Sequence, residues 1–240
     1  MEGVYEKEFA VVPSVCDAGG HLSYQAAFAC FMDIASQHAE ALGVGYEDLL
    51  WRGLFWLTVK TKIVFLRRPR LGEITRLSTW PEAPGRIRCN RSYEMRKGDE
   101  RLLYGRTEWA VVEIGTQRMI PASEVYPTGV RFPQFSACDE PFRHVPDQFD
   151  GLEPYARYTV RSTDIDVGGH MNNAAYLNAM MGTFSGQELS AKPIRSIDAL
   201  FRAPCFEGDT LIWRRTETIN GMNLCAKSGD KTVFLAAIET

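Results

Sequence analysis

Asp17-Ala18-Gly19-Gly20-His21 returns almost unchanged 149 residues later as Asp166-Val167-Gly168-Gly169-His170. Each copy follows a strand-like segment and precedes a helix-like one. A second landmark repeats in the same order: Phe65-Leu66-Arg67-Arg68-Pro69 with Leu71-Gly72-Glu73 resembles Leu200-Phe201-Arg202-Ala203-Pro204 with Glu207-Gly208-Asp209. Two landmarks in one order and at similar spacing indicate an internal duplication. The chain is therefore predicted to contain two copies of one structural module.

The composition is that of an ordinary globular protein, with 45% hydrophobic and 24% charged residues among 240. A net charge of −3 gives no sign of nucleic acid or membrane as a partner. The N-terminus lacks the features of a signal peptide, and no apolar run is long enough to span a bilayer. Six scattered cysteines without a C-x-x-C pair suit reduced thiols in the cytoplasm. We therefore expect a cytoplasmic protein without a metal or cofactor.

Hydrophobic spacing predicts the same order of elements in each half. In the first half we expect a strand over 5–12, and a helix from Ser23 to about Leu42, stopped by Gly43. Its buried stripe would be formed by Phe28, Phe31, Ile34, Ala35 and His38. Strands are predicted over 54–66, 73–80, 86–96 and 101–114, the first with Leu57, Val59, Ile63 and Phe65 on its apolar face. In the second half we expect a strand over 155–162, a helix over 173–189, and strands over 194–203, 209–218, 222–228 and 231–239.

One helix cannot cover a five-stranded sheet alone, so the two halves are expected to join their sheets and bury both helices. Between the halves, Gly115 to Pro154 holds six of the twelve prolines and few periodic stretches. Such a segment predicts a linker over the surface.

The second copy of the repeat carries the groups that chemistry would need. Asp166 and His170 offer an acid and a base where a strand passes into a helix. Glycines allow close approach of the backbone to a ligand, and free amides at a helix start can stabilise an oxyanion. We therefore predict Asp166 and His170 as catalytic, and Gly168, Gly169 and Asn172 as the oxyanion site. This combination suits attack on an acyl carbonyl.

The pattern D-x-D-x-x-x-H-x-N-N-x-x-Y, from Asp164 to Tyr176, resembles the signature of hotdog-fold thioesterases, most closely the acyl-acyl-carrier-protein thioesterases. Segments in the first half add to the resemblance: 38–45, 67–73 and Thr79-Trp80-Pro81. The resemblance implies an α+β double hotdog, with two tandem modules that each wrap an antiparallel sheet around a long helix. It implies an N-terminal module over 1–115 for the acyl chain, a linker over 116–154 and a catalytic module over 155–240.

The resemblance further implies hydrolysis of fatty acyl-acyl carrier protein in fatty acid biosynthesis. The partner would be acyl carrier protein bearing a phosphopantetheine-linked acyl chain, and pairing of two chains as a homodimer stays open. Asp166 and His170 fall on the family's catalytic aspartate and histidine, and Cys205 on a cysteine assigned either as a nucleophile or as a pocket-lining residue. Two positions depart from the family: Gly168 replaces an asparagine, and Pro204 replaces a glutamate.

Several alternatives stay open on the sequence. An acyl-CoA thioesterase would keep the fold and change the carrier, and a hydratase of the same fold would need a different histidine pattern. A non-catalytic acyl-chain-binding protein would explain Gly168 and Pro204. The Asp17–His21 copy is interpreted as a structural relic, and His38 as a core histidine. The arginines of the first half form either a solvated face or a docking patch for an acidic carrier or a phosphate.

Overall fold

The computed structural model describes residues 3–240 and divides into two compact units, Met1–Glu140 and Pro141–Thr240. The N-terminal unit consists of β1 (Tyr5–Ala10), α1 (Tyr24–Ala41), α2 (Tyr46–Trp51), β2 (Leu54–Phe65), β3 (Ile74–Pro81), β4 (Arg88–Lys97), β5 (Glu100–Glu113) and β6 (Met119–Ile120). Its strands pair antiparallel in the order β1-β3-β4-β5-β2, and β6 adds to β5.

The long helix α1 lies against this sheet as the sequence predicts. Ser23 caps it by accepting a hydrogen bond from the Ala26 amide at 3.3 Å, and Gly43 follows it in the left-handed region at φ 70°. The predicted stripe is buried, and Phe31 stacks on Tyr93 of β4 with 4.6 Å between ring centroids. Gly105 permits this contact, since a β-carbon there would lie 2.9 Å from the Phe31 ring.

The predicted apolar face of β2 is wrong for its first half. The register against β5 shifts between Thr58 and Lys60, which marks a β-bulge. An extra residue in one strand reverses which side chains point inward. Thr58 is therefore buried while Leu57 is 38% exposed. Beyond the bulge, Ile63 and Phe65 are buried as expected, but Lys62 of the predicted polar face is buried too.

The C-terminal unit repeats this plan in shorter form. It contains β7 (Ala156–Thr159), α3 (Asn173–Met181), α4 (Gly186–Ala191), β8 (Ser196–Phe201), β9 (Thr210–Thr218), β10 (Gly221–Ser228) and β11 (Lys231–Glu239). The antiparallel order is β8-β11-β10-β9-β7. Tyr176 of α3 stacks on Phe234 of β11 at 5.6 Å, so the helix packs on the sheet as α1 does in the first unit.

The single helix predicted over 173–189 is two helices. Helix α3 ends at Met181, and the Thr183 hydroxyl donates to the Met180 carbonyl oxygen at 2.7 Å. Ser185 then starts α4 with a capping box, because its hydroxyl and the Glu188 carboxylate each accept from the other's amide. Local capping overrides the continuous apolar spacing.

The connecting segment is more structured than the prediction of a surface linker allows. It contains β6 and a 3₁₀ turn at Ala122–Glu124. Its apolar side chains enter the cores: Ala122 and Val125 join a cluster in the first unit, and Val145 and Phe149 join one in the second.

Candidate active site

The C-terminal turn from Asp164 to Asn172 presents Asp166 and His170 on one loop. The Asp166 amide donates to the His170 carbonyl oxygen at 3.1 Å, and the Gly169 amide donates to the Asp166 carbonyl oxygen at 2.9 Å. Gly169 adopts φ 76°, a conformation that glycine enters without steric cost. The backbone thus closes the loop from within and places Asp166 and His170 at its two ends.

The carboxylate and the imidazole flank the same point above Gly168. A β-carbon on Gly168 would lie 3.0 Å from Asp166 Oδ1 and 3.1 Å from His170 Nε2. Both side chains are half-buried, so they can reach solvent or a substrate. His170 Nδ1 lies 3.4 Å from the Met171 carbonyl oxygen. In the tautomer that donates there, Nε2 carries a lone pair and can act as a base.

The predicted oxyanion amides are already engaged within the protein. Gly168 donates to Asp166 Oδ1 at 2.8 Å, Gly169 donates as described above, and Asn172 donates to the Asp164 carbonyl oxygen at 2.8 Å. The structure therefore contradicts the assignment of these three amides, which close the turn. The side chain of Asn172 still offers a donor. Its Oδ1 accepts from the Ala174 amide at 2.7 Å, whereas its Nδ2 has no acceptor among residues 3–240 and can donate to a substrate.

Asp164 is a site residue that the sequence analysis did not single out. It is buried, and its Oδ2 accepts from the Tyr158 hydroxyl and from the Arg161 amide, each at 2.8 Å. These bonds tie the end of β7 to the turn that carries Asp166. The D-x-D spacing was the available signal, because the first carboxylate of such a pair can cap the turn.

Cys205 lies beside the turn but lacks the environment of a nucleophile. Its carbonyl oxygen accepts from the Met171 amide at 2.8 Å, and its side chain is fully buried. Burial raises the pKa of the thiol, although a hydrogen bond with Tyr176 opposes the rise. A nucleophilic cysteine needs a lowered pKa. These features favour the pocket-lining interpretation over the catalytic one.

The N-terminal copy of the turn has the same backbone bonds. The Asp17 amide donates to the His21 carbonyl oxygen at 2.8 Å, the Gly20 amide donates to the Asp17 carbonyl oxygen at 3.0 Å, and Gly20 adopts φ 71°. The carboxylate differs, because Arg68 forms an ion pair with Asp17 Oδ2. Partial burial opposes ionisation of Asp17, but the hydrogen bond and charge of Arg68 leave its pKa lowered.

The structure corrects the alignment of the second repeat by one residue. Leu22 donates to the Pro69 carbonyl oxygen, and its counterpart Met171 donates to that of Cys205, each at 2.8 Å. Pro69 therefore corresponds to Cys205, and Arg68 corresponds to Pro204. Proline can neither donate nor carry charge, and among residues 3–240 no other side chain donates to Asp166. Asp166 thus keeps a free carboxylate oxygen where Asp17 is neutralised.

The arginines of the first half do not form one free patch. Arg67 pairs with Glu73 and Glu100, Arg88 with Glu108, and Arg96 with Glu94. Arg91 is buried, with its Nη1 3.0 Å from Nδ1 of His38. His38 also stacks on Tyr5 at 5.2 Å, as expected of a core histidine.

Among residues 3–240, no group of three or more His, Cys, Asp or Glu side chains converges to hold a metal ion. None of the helices in this range combines the length and hydropathy that crossing a membrane requires.

Two hotdog units in one chain define the class as a double-hotdog protein. The acyl-ACP thioesterase N-terminal domain matches residues 2–126, and the C-terminal domain of the same family matches residues 152–238. The chain belongs to the acyl-ACP thioesterase family, as its motifs predicted.

Solved structures share the fold over nearly the whole chain. An acyl-ACP thioesterase from Bacteroides thetaiotaomicron superposes with a TM-score of 0.83 at 23% identity, covering 99% of this chain and 97% of that one. The 12:0-ACP thioesterase from Umbellularia californica gives 0.84 at 21% identity, covering 100% and 97%. The double-hotdog prediction is confirmed.

The curated relatives are longer than this chain. Oleoyl-acyl carrier protein thioesterase 1, chloroplastic, from Arabidopsis thaliana is 22% identical over 82% of this chain and 60% of its own length. A FATB3 acyl-[acyl-carrier-protein] hydrolase from Cuphea viscosissima is 23% identical over 85% and 51%. The chain thus spans between half and two thirds of the length of these relatives.

Proposed function

We propose that this protein hydrolyses fatty acyl-acyl carrier protein to free fatty acid and carrier protein. The observation that carries the proposal is the position of the Asp166 carboxylate beside His170 Nε2. No cation among residues 3–240 pairs with this carboxylate, whereas Arg68 neutralises its counterpart Asp17. Family membership supports the substrate class, and the relatives' names include oleoyl- and palmitoyl-acyl carrier protein thioesterases. The C-terminal unit would supply the reacting groups, and the N-terminal unit would bind the acyl chain.

The proposed reaction uses His170 as the general base. His170 Nε2 takes a proton from water while the water oxygen attacks the thioester carbonyl carbon, and Asp166 orients that water and stabilises the imidazolium. The Asn172 side-chain amide donates to the developing oxyanion, since the backbone amides of Gly168, Gly169 and Asn172 are engaged within the turn. The carbon–sulfur bond then breaks, and His170 returns the proton to the departing pantetheine thiolate.

The test is hydrolysis of a panel of acyl-carrier thioesters, with the released fatty acids identified by mass. Asp166→Asn and His170→Ala should each lower turnover by on the order of 100-fold or more. The matched controls are Asp17→Asn and His21→Ala, which make the same changes in the other copy of the turn. Unchanged turnover in both C-terminal variants would refute the site.

The same panel separates the alternatives. Faster hydrolysis of acyl-CoA than of the matched acyl-carrier substrate would identify an acyl-CoA thioesterase. Tight acyl-ligand binding without product would identify a non-catalytic binder. The free carboxylate of Asp166 argues against the binder, because an unneutralised acid beside an imidazole has no evident use in holding a hydrocarbon chain.

We further propose a cytoplasmic location and a place in fatty acid biosynthesis. The six cysteines, all free in the structure, support a reducing compartment. Cell fractionation with antibody detection would test the location. Pairing of two chains stays a prediction, which light scattering on the purified protein would test.

A further inference from the structure

Strand β4 places a charged side chain inside the core of the N-terminal unit. Alternate residues of a strand face the same side, and the inward side of β4 carries Cys89, Arg91, Tyr93 and Met95. Three of these four suit a core. Arg91 is only 5% exposed, and burial of a guanidinium is costly unless it is paired.

The partners of Arg91 are neutral. Its Nη1 lies 3.0 Å from His38 Nδ1 and 3.4 Å from Thr79 Oγ1. No carboxylate within residues 3–240 makes an ion pair with it. Burial raises the pKa of nearby Tyr126 to about 12, and the Arg91 charge opposes this rise. The cation is therefore held in place without an anion to balance it.

Two further donors near Arg91 lack acceptors. The Tyr93 hydroxyl and the Trp109 indole N–H are buried, and neither has a hydrogen-bond partner of normal geometry in the described chain. Thr107 and Trp109 lie near the Tyr93 hydroxyl and slightly lower its pKa, but burial dominates and raises it to about 12. Tyr93 therefore keeps its proton at neutral pH. Buried polar groups are nearly always satisfied, so two unsatisfied donors beside a guanidinium with only neutral partners indicate a missing acceptor.

The donor cluster, Arg91, Tyr93 and Trp109, adjoins an apolar region that reaches the surface. Trp109 packs against the cluster that includes Leu42, Leu49 and Val111. Trp56, Trp109 and Tyr126 on its border are only partly buried. An apolar chain entering along these aromatic rings would bring a group at its far end toward the donors.

We propose that the donor cluster binds an oxygen acceptor on the acyl chain, with an ω-carboxylate preferred because Arg91 has no carboxylate partner. The inference rests on the proposed function and narrows it to acyl chains that carry a second oxygen group. Trp109 and Tyr93 would donate to the oxygen, and Arg91 would balance its charge.

Binding is the first test, because it does not depend on hydrolysis. The probes are the methyl ester of a saturated fatty acid and the monomethyl ester of the dicarboxylic acid of equal chain length, measured by calorimetry. The wild type should bind the carboxylate-bearing ester about tenfold or more tightly than the plain ester, since hydrogen bonds to charged groups are the stronger ones. Equal affinities across several chain lengths would overturn the inference.

The decisive variant is Tyr93→Phe, which removes only the unpartnered hydroxyl. The preference for the carboxylate-bearing ester should fall about tenfold, while the melting temperature should change little, because the hydroxyl makes no hydrogen bond of normal geometry with the protein. Tyr104→Phe is the matched control: its hydroxyl donates to Glu140 at 2.7 Å in the same unit, and its loss should leave the preference intact. A preference unchanged by Tyr93→Phe would also overturn the inference.

Kinetics separate the inference from the proposed function. We expect kcat/KM on ω-carboxy acyl-carrier substrates to exceed that on plain and oxo chains of equal length. Hydrolysis of plain chains without any such preference would overturn this inference alone. Absence of hydrolysis on every substrate, with selective binding of the carboxylate ester retained, would contradict the proposed function and support the donor cluster.

Discussion

Arg68 neutralises Asp17 in the N-terminal turn by a hydrogen-bonded ion pair between its Nη1 and Asp17 Oδ2. Pro204 holds the corresponding place in the C-terminal turn, where Asp166 has no such partner. Two copies of one backbone turn thus differ in whether a cation pairs with their carboxylate. This difference supports the proposal that the C-terminal copy is reactive and that the N-terminal copy stabilises the fold.

Pro204→Arg should convert the C-terminal turn toward the state of the N-terminal one. A guanidinium beside Asp166 would hold the carboxylate in an ion pair and compete with its role beside His170. We expect turnover to fall by about tenfold or more. Pro204→Gln, of similar length and without charge, is the control and should retain most activity. Equal losses in both variants would attribute the effect to the lost proline.

Arg68→Met should lower stability and leave turnover intact. The Arg68 and Asp17 side chains are 19% and 32% exposed, so the pair is partly screened by solvent. We expect the free energy of unfolding to fall by on the order of 1 kcal/mol, measured by urea titration. A loss of turnover comparable to that of Asp166→Asn would instead show that the N-terminal turn takes part in the reaction.

Gly168→Ala should reduce activity by crowding the two reactive groups. The added carbon would lie 3.0 Å from Asp166 Oδ1 and 3.1 Å from His170 Nε2, so at least one must move. Small displacements of reacting groups cost on the order of tenfold to a hundredfold in rate. Gly19→Ala is the matched control, with 3.3 Å to each equivalent side chain. Gly168→Asn, which restores the family residue, should also lower turnover; an increase would show that the turn admits the amide.

Cys205→Ala should keep most of the turnover. The thiol is buried and its pKa is raised, so it is a poor nucleophile at neutral pH. We expect kcat within about threefold of the wild type and a loss of stability of about 1 kcal/mol from the small cavity. Iodoacetamide should fail to label Cys205 in the folded protein, as detected by peptide mass. Complete inactivation with an unchanged melting temperature would restore the nucleophile interpretation.

Glu73 should contribute to acid sensitivity. Hydrogen bonds from Arg67 above all, and then from Lys97 and the Arg70 amide, lower the Glu73 pKa to about 2. A carboxylate with a lowered folded-state pKa contributes stability that is present above its unfolded pKa, about 4.3, and is lost as pH falls toward 2. Glu73→Gln should therefore lower the melting temperature at pH 7 and weaken its decline between about pH 5 and 3. Parallel acid profiles would exclude this role.

The turns could be predicted because their determinants are local. The D-x-G-G-H spacing, Ser23 and Gly43 act through bonds within a few residues, and each behaves as expected. The break after Met181 was missed because apolar spacing continues through Phe184, while the Ser185–Glu188 capping box ends it. The prediction of free oxyanion amides was wrong because the loop is short: its amides donate to acceptors within the same loop and are not available to a ligand.

Contacts between residues far apart in the chain could not be predicted from the sequence in the same way. The correspondence of Arg68 with Pro204 depends on hydrogen bonds to residues more than thirty positions away, and a one-residue slip hides it. Arg91 had a usable signal, because alternation places it with Cys89, Tyr93 and Met95 rather than with solvent-facing residues. Its grouping with the exposed arginines obscured that pattern. The bulge near Thr58 left no mark in the sequence.

The C-terminal turn is closed by bonds among its own few residues, and its other bonds, to Tyr158 and Cys205, stay within the same unit. Its geometry is therefore insulated from changes elsewhere, such as exchanges of side chains on β4 of the other unit. If the proposed function holds, substitutions in the N-terminal unit can change which acyl chains are accepted without altering the turn that carries Asp166 and His170. Sequence variation among such proteins should accordingly concentrate in the first half of the chain, whereas the loop from Asp164 to Asn172 in the second half should vary little.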